Sequence, residues 1–90
     1  MFEKLKEILM KSKEENCDLS VAHAKVRNDD RLAGKTDYTE LDKAYMLING
    51  YEAVVTKLWR EGKHEELAEF CELFEADDKN GIREFVGKWQ

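Results

Sequence analysis

The sequence contains no proline and only five glycines among its 90 residues. An all-β domain of this length needs many tight turns, and tight turns draw on these two residue types. Their scarcity argues against a β-sandwich or a β-barrel and favours helices. Because a chain of this length corresponds to one domain of ordinary size, we expect a single helical domain over residues 1–90.

Long apolar runs and paired cysteines are also missing. The longest wholly apolar run covers residues 44–48, whereas a membrane-spanning helix needs about 20 apolar residues. The first residues are charged from Glu3 onwards and do not resemble a secretory signal peptide. Cys17 and Cys71 form no CxxC motif, so we expect free thiols in a reducing compartment. The sequence therefore predicts a cytoplasmic protein that does not insert into a membrane.

The chain has no surplus of basic residues. Its 20 aspartates and glutamates outnumber its 15 lysines and arginines, so the formal net charge is −5. Domains that wrap a nucleic-acid backbone usually have the opposite balance. Nucleic acid is therefore a less favoured partner than a protein with a basic surface.

Apolar residues recur at the spacing of amphipathic helices in five stretches of the chain. The first, fourth and fifth predicted helices cover residues 2 to about 16, about 63–76 and 82–89. The second runs from an N-cap at position 18 or 20 to about residue 32, and the third from a capping box that begins at position 37 or 39 to the residue before Gly62. Asp18 or Ser20 supplies an N-cap for the second, and Asp37 with Glu40 or Thr39 with Asp42 supplies a capping box for the third. The expected fold class is all-α, a small bundle of four to five amphipathic helices.

The third predicted helix has the widest apolar face. It includes the following residues at helical spacing: Leu41, Ala44, Tyr45, Leu47, Ile48, Tyr51, Val54, Val55, Leu58 and Trp59. Gly50 inside this helix predicts a close crossing with a neighbouring helix. Glu52 projects into the apolar arc, so we expect its carboxylate to pair with Tyr45, Trp59 or a lysine.

Motifs for catalysis and metal binding are incomplete. The stretch 34–36 (Gly-Lys-Thr) lacks the earlier glycine of a phosphate-binding loop. The stretch 78–82 lacks the first and last carboxylates of an EF-hand loop. Zinc-type spacing is absent among His23, His64, Cys17 and Cys71. We therefore expect no enzyme activity, no cofactor and no metal ion.

The most pronounced charge feature lies in the fourth predicted helix and the turn after it. Residues 64–78 contain seven acids and no lysine or arginine. On a helical projection Glu65, Glu69 and Glu72 lie opposite the apolar stripe. Such a face is also typical of a solvated surface that only keeps a protein soluble, and that interpretation stays open. The residues predicted to bind a basic protein surface are Glu65, Glu66, Glu69, Glu72, Leu73, Glu75, Asp77 and Asp78, with Leu73 expected to be exposed.

Two other patterns predict different partners. A basic and aromatic cluster could bind an anion or nucleic acid, with its tyrosine stacking on a base; it consists of Arg27, Arg31, Lys35 and Tyr38. Acids interleaved with this cluster nearly cancel its charge. An apolar stripe at the end of the chain could pack across a twofold axis in a homodimer or belong to the core. It consists of Ile82, Phe85, Val86 and Trp89.

Small size, helical content and acidity together favour one function. We predict a non-enzymatic interaction protein that regulates or inhibits a partner protein, of the kind that phages and other mobile elements encode. The alternatives are a small nucleic-acid or nucleotide-binding regulator and a self-associating structural module.

Overall fold

The chain consists of five α-helices and contains no strand, in a computed structural model that describes residues 1–90. The helices are α1 (Phe2–Glu15), α2 (Leu19–Leu32), α3 (Thr39–Arg60), α4 (His64–Glu75) and α5 (Lys79–Trp89). The prediction of an all-α fold with four to five amphipathic helices is confirmed. None of the helices is both long enough and apolar enough to cross a bilayer.

The chain divides into two compact units, which we call the first unit (Met1–Tyr45) and the second unit (Met46–Gln90). In the first unit α1 packs against α2, and in the second unit α4 packs against α5. Helix α3 begins in the first unit and ends in the second. That residues 1–90 form one domain stays a prediction.

Local signals set the helix ends of the first unit. Helix α1 ends where Asn16 adopts the left-handed conformation (φ 49°), and the Ser12 hydroxyl donates to the Cys17 carbonyl at 2.5 Å. Helix α2 follows the extended residue Asp18, one of the two predicted N-caps, although the Asp18 side chain accepts no capping hydrogen bond. Gly34 then adopts φ 86°, in the left-handed region that glycine occupies at little cost after a helix.

The start of α3 differs from the predicted capping box. The Asp37 carboxylate accepts a hydrogen bond from the Thr39 backbone N–H at 2.9 Å, two residues further on instead of three. Hydrogen bonds from Thr39 hold the pKa of Asp37 below its ordinary value. Glu40, the expected second member of the box, lies 2.6 Å from the Met1 amino group. A short turn closed by an aspartate therefore replaces the box.

Helix α3 is interrupted at Tyr51, whose backbone leaves the helical region (φ −141°, ψ 39°). Two predictions for this stretch of the chain are wrong. Gly50 is exposed, and a Cβ added there would meet no atom within 4 Å, so no helix crosses closely at this point. Glu52 is also exposed and does not lie in the apolar arc. The Glu52 prediction assumed an unbroken helical projection, which the interruption at Tyr51 shifts. The Gly50 prediction rested only on the presence of a glycine within a helix.

From the end of α3 to the end of α4 the second unit follows the sequence prediction. Gly62 ends α3 in the left-handed conformation (φ 71°). Helix α4 then covers all but the two end residues of the predicted range 63–76. Asp77 makes the turn to the next helix with a φ of 53°.

The last helix begins earlier than predicted. Helix α5 starts at Lys79 because the Asp78 carboxylate accepts the Gly81 backbone N–H at 2.9 Å and caps the helix. A Cβ added at Gly81 would lie 2.6 Å from Asp78 Oδ2 and 2.8 Å from Leu73 Cδ2. The close approach of two helices that we expected at Gly50 therefore occurs at Gly81, between α4 and α5.

The two units have cores of different composition. The buried apolar residues of the first unit are aliphatic: Leu5, Ile8, Leu9, Ala22, Val26, Leu41 and Ala44. In the second unit the Phe70 ring is fully buried and stacks on Phe85, with 4.7 Å between the centroids. Tyr51 meets Phe70 edge-on at 5.3 Å, and Trp89 lies 6.3 Å from Phe85. Each aromatic pair adds about 0.5–1.5 kcal/mol to the stabilisation that burial provides.

Candidate functional site

Most acidic residues of the first unit are paired with a cation. Lys4 Nζ donates to Asp30 Oδ2 at 2.8 Å and to Asp30 Oδ1 at 3.1 Å, while Lys35 Nζ lies 3.6 Å from Oδ1. Asp30 is the one buried charged residue of the chain, with 7% of its surface exposed. Burial raises its pKa, but the hydrogen bonds and charge of Lys4 more than offset this and leave the pKa of Asp30 below its ordinary value.

Further pairs cover the surface of the first unit. Lys11 lies 3.3 Å from Glu15 and 3.0 Å from Asp29, so it connects α1 with α2. Lys25 of α2 donates to the same Glu15. Seven of the ten acids of this unit lie within 4 Å of a basic nitrogen: Glu3, Glu7, Glu15, Asp29, Asp30, Glu40 and Asp42.

The second unit contains ten acids and only six lysines and arginines. No salt bridge forms within it. The predicted acids of α4 come together along this helix: Glu65, Glu69, Glu72 and Glu75 are exposed, and Glu66 is half-buried. We call these five residues the acidic face.

The helix dipole stabilises the acidic face at one end of α4 and destabilises it at the other. Glu65 and Glu66 stand in the first turn of α4, where the positive end of the helix dipole stabilises a carboxylate. Glu72 and Glu75 stand near the last turn, which contains no basic residue. The dipole disfavours carboxylates at that end. The carboxyl end of α4 is therefore the least stabilised part of the acidic face.

Three other members of the predicted binding set have structural roles. Asp78 caps α5, and Asp77 makes the left-handed turn before it. Leu73 is half-buried and approaches Gly81, so the prediction of an exposed leucine is wrong. Leu73 is covered because α5 starts early and packs against its side of α4. A projection of α4 alone does not show this neighbouring helix. Leu73 and Phe85 line a shallow groove of about 290 Å³ next to α4.

Three members of the basic and aromatic cluster come together in the first unit: Arg27, Lys35 and Tyr38. The Arg27 guanidinium lies over the Tyr38 ring, 4.6 Å from its centroid, so one face of the ring is already covered. The Tyr38 hydroxyl donates to the Lys35 carbonyl at 3.1 Å, and the Lys35 ammonium lies near Asp30. Arg27 and Arg31 are exposed and have no carboxylate partner within their unit.

The apolar stripe of α5 turns mainly inward. Ile82 and Phe85 are buried, and Val86 and Trp89 are half-buried. The ammonium group of Lys63 lies 5.0 Å from the centre of the Trp89 ring. In a homodimer, the second copy could reach only Val86 and Trp89 of this stripe while α5 stays folded. The homodimer stays a prediction.

The remaining polar candidates have packing partners. The thiol of Cys71 is buried, and burial raises its pKa to about 12, so it stays protonated near neutral pH. Cys17 is half-buried. His23 stacks on Tyr45 with 4.1 Å between centroids, and His64 stacks on Trp59 at 4.9 Å. No group of three or more histidine, cysteine, aspartate or glutamate side chains is arranged to hold a metal ion.

One feature of the second unit was missed by the sequence analysis. A groove of about 650 Å³ lies beside α5, and its lining includes Tyr51, Phe74, Lys79 and Arg83. These residues belong to three helices and are spread over more than thirty positions of the chain. No local spacing rule connects them, so only the fold brings them together.

Comparison with known proteins gives no relative to describe. No protein-family model matches the chain, and no curated protein or solved structure matches it.

Proposed function

We propose that this protein is a non-enzymatic interaction protein that docks on a basic surface of a partner protein through the acidic face of α4. Docking would regulate or inhibit that partner. One observation carries the proposal: the five carboxylates of the acidic face are accessible to solvent and form no salt bridge within their unit. In the first unit, by contrast, six of ten acids pair with a lysine or with the Met1 amino group, and a seventh, Asp42, lies 3.4 Å from His23 Nε2.

The arrangement of these acids is unfavourable for the protein on its own. Glu65 and Glu69 are four residues apart, and Glu69, Glu72 and Glu75 follow at intervals of three. Each such pair of like charges destabilises a helix by about 0.2–0.5 kcal/mol. A partner with lysines and arginines opposite α4 would relieve this repulsion and the opposing helix dipole. Part of the free energy of docking would thus come from removing a strain that the free helix contains.

Charge complementarity also supports a regulatory role. Opposite potentials accelerate encounter and disfavour wrong partners. A surface that attracts a phosphate backbone also attracts a row of carboxylates. The charge of α4 therefore favours one form of inhibition, in which the acidic face competes with nucleic acid for a basic surface of the partner protein.

A pull-down with a charge-matched control tests the proposal. The test variant combines Glu65→Lys, Glu69→Lys and Glu72→Lys. The control combines Glu14→Lys, Glu52→Lys and Glu61→Lys, which are exposed, unpaired and outside the acidic face. Both variants have the same net charge. We expect a nuclease-treated lysate to yield a protein that wild type and control retain and that the test variant loses.

Two outcomes would contradict the proposal. One is a partner that the test variant retains as well as wild type does. The other is a partner that both variants lose equally, because net charge and not the acidic face would then control binding. Far-ultraviolet circular dichroism establishes that the variants remain helical.

A second candidate function is anion or nucleic-acid binding through Arg27, Arg31, Lys35 and Tyr38. It is favoured by the position of Arg27 and Arg31, which stand one turn apart on α2 without a carboxylate partner in their unit. A mobility shift with single-stranded nucleic acid that weakens with salt and disappears in the double variant Arg27→Gln, Arg31→Gln would support it. A control with Lys13→Gln and Lys43→Gln removes the same charge elsewhere.

A further inference from the structure

The groove beside α5 has the size of a small-molecule site. Its volume is about 650 Å³, and pockets that hold small ligands usually measure about 300–1,000 Å³. Its apolar lining comes from Tyr51 of α3, Phe74 of α4, and Ile82 and Val86 of α5. All four residues belong to the second unit, so the groove is complete within that unit.

The apolar lining is held in place by the aromatic core. The Tyr51 ring meets the fully buried Phe70 edge-on at 5.3 Å. Phe70 in turn stacks on Phe85. Phe74 and Val86 are half-buried and so retain surface that a ligand could cover. An apolar ligand would thus find a preformed wall instead of having to order one, which favours affinity.

The rim of the groove is cationic in a unit that is otherwise acidic. Lys79 and Arg83 are exposed, stand one turn apart on α5, and have no carboxylate partner within the unit. Residues four apart on a helix are neighbours, so both side chains can reach one anion. Asp77 also lines the groove, and its charge would direct an anion towards the α5 side of the rim.

We propose that this groove binds a small amphipathic carboxylate, a free acid with one apolar body. The apolar body lies against Phe74 and Val86, and the carboxylate accepts hydrogen bonds from Lys79 and Arg83. Hydrogen bonds between charged groups are about twice as strong as neutral ones, so the two cations set the orientation. The site does not depend on the acidic face of α4, and it would be present whether or not α4 docks on a partner.

The test uses three probes that separate charge from apolar surface. These are 2-naphthoate, 2-naphthalenemethanol, which keeps the rings without the charge, and acetate, which keeps the charge without the rings. Binding is measured by calorimetry, and the site is located by amide chemical shifts. We expect 2-naphthoate to bind more tightly than either comparison probe and to shift the amides of α5 around Arg83.

Two variants and a control decide whether the groove is the site. Arg83→Gln removes one cation and its charged hydrogen bond, and it should weaken 2-naphthoate binding about tenfold. Gly87 also lines the groove, and a Cβ added there meets no atom within 4 Å. Gly87→Leu should therefore fill part of the groove while a better helix former replaces glycine. Lys88→Gln removes the same charge from α5 outside the lining and should leave the affinity unchanged.

Three results would overturn the assignment. The first is the absence of any shift in α5 with 2-naphthoate, and the second is equal affinity for 2-naphthalenemethanol. The third is wild-type affinity in both Arg83→Gln and Gly87→Leu. A result of this kind leaves the pull-down with α4 unaffected, because no probe or variant used here alters the acidic face.

Discussion

The two units contain ten acidic residues each but place them in different surroundings. In the first unit lysines of one helix reach acids of the other: Lys4 contacts Asp30, Lys11 contacts Asp29, and Lys25 contacts Glu15. In the second unit α4 and α5 are joined by the Phe70–Phe85 stack and the close approach at Gly81.

This difference shows what each set of carboxylates is available for. Acids that connect α1 with α2 are engaged within the protein, and a partner would have to compete for them. Because the second unit brings α4 and α5 together by apolar contacts, its carboxylates are not needed for that purpose. The same residue type can therefore stabilise one unit and stay accessible on the other.

The largest effect should follow removal of the aromatic stack. Phe70→Ala should lower the free energy of unfolding by about 3–5 kcal/mol, since it empties a fully buried ring position. Urea denaturation measures the loss, and amide exchange in α4 and α5 locates it. Phe74→Ala is the matched control, because Phe74 is only half-buried. An equal loss in both variants would mean that the stack is not what joins α4 and α5.

The next largest effect should come from the buried ion pair of the first unit. Asp30→Asn should cost about 2 kcal/mol at pH 7, because it leaves the Lys4 ammonium, with 18% of its side chain exposed, without a full counter-charge. Asp29→Asn breaks an exposed pair with Lys11 and should cost much less. If urea denaturation shows the same loss of unfolding free energy in Asp30→Asn and Asp29→Asn, the buried pair is no more stabilising than the exposed one.

The same pair should make stability fall in acid. The pKa of Asp30 is lowered in the folded protein, so its contribution is complete above the ordinary aspartate pKa of about 3.9. This stabilising contribution is lost as the pH falls through the lowered pKa that Asp30 has in the folded protein. The stability difference between wild type and Asp30→Asn should therefore be constant from pH 5 to 7 and shrink below pH 4. A difference that persists unchanged at pH 2 would contradict this linkage.

Two glycines of α5 should respond with opposite signs. Gly81→Ala should cost about 1 kcal/mol, because the new Cβ displaces the Asp78 cap and presses on Leu73. Gly87→Ala meets no atom within 4 Å and should stabilise the helix by about 0.5–1 kcal/mol. Thermal unfolding of both variants measures the contrast. If both substitutions stabilise the protein, α4 and α5 do not approach each other closely at Gly81.

The smallest effects should come from reversing single surface charges. Glu75→Lys places a cation in the last turn of α4 and removes repulsion from Glu72, so it should stabilise the free protein by about 0.3–1 kcal/mol. Glu3→Lys removes a paired acid from the first turn of α1 and should destabilise the protein. Salt should diminish both changes. Two changes of the same sign would show that the units do not differ in the way their acids are placed.

Most helix limits could be predicted because the residues that set them lie next to the helix ends. Capping rules depend only on such neighbours, as they do at Asp18, Gly34 and Gly62. The prediction for Glu52 is wrong because the interruption at Tyr51 has no marker in the apolar spacing. The prediction for Leu73 is wrong because its exposure depends on α5, a different helix.

The sequence by itself determined the helical class, most of the helix limits and the run of seven acids over residues 64–78. Only the tertiary structure decided which acids are paired, because Lys4 and Asp30 are 26 positions apart and meet through the packing of α1 against α2. The tertiary structure likewise decided that Lys79 and Arg83 border an apolar groove with Tyr51. Helix formation depends on neighbours within a few residues, whereas pairing and groove formation depend on residues that only folding brings together.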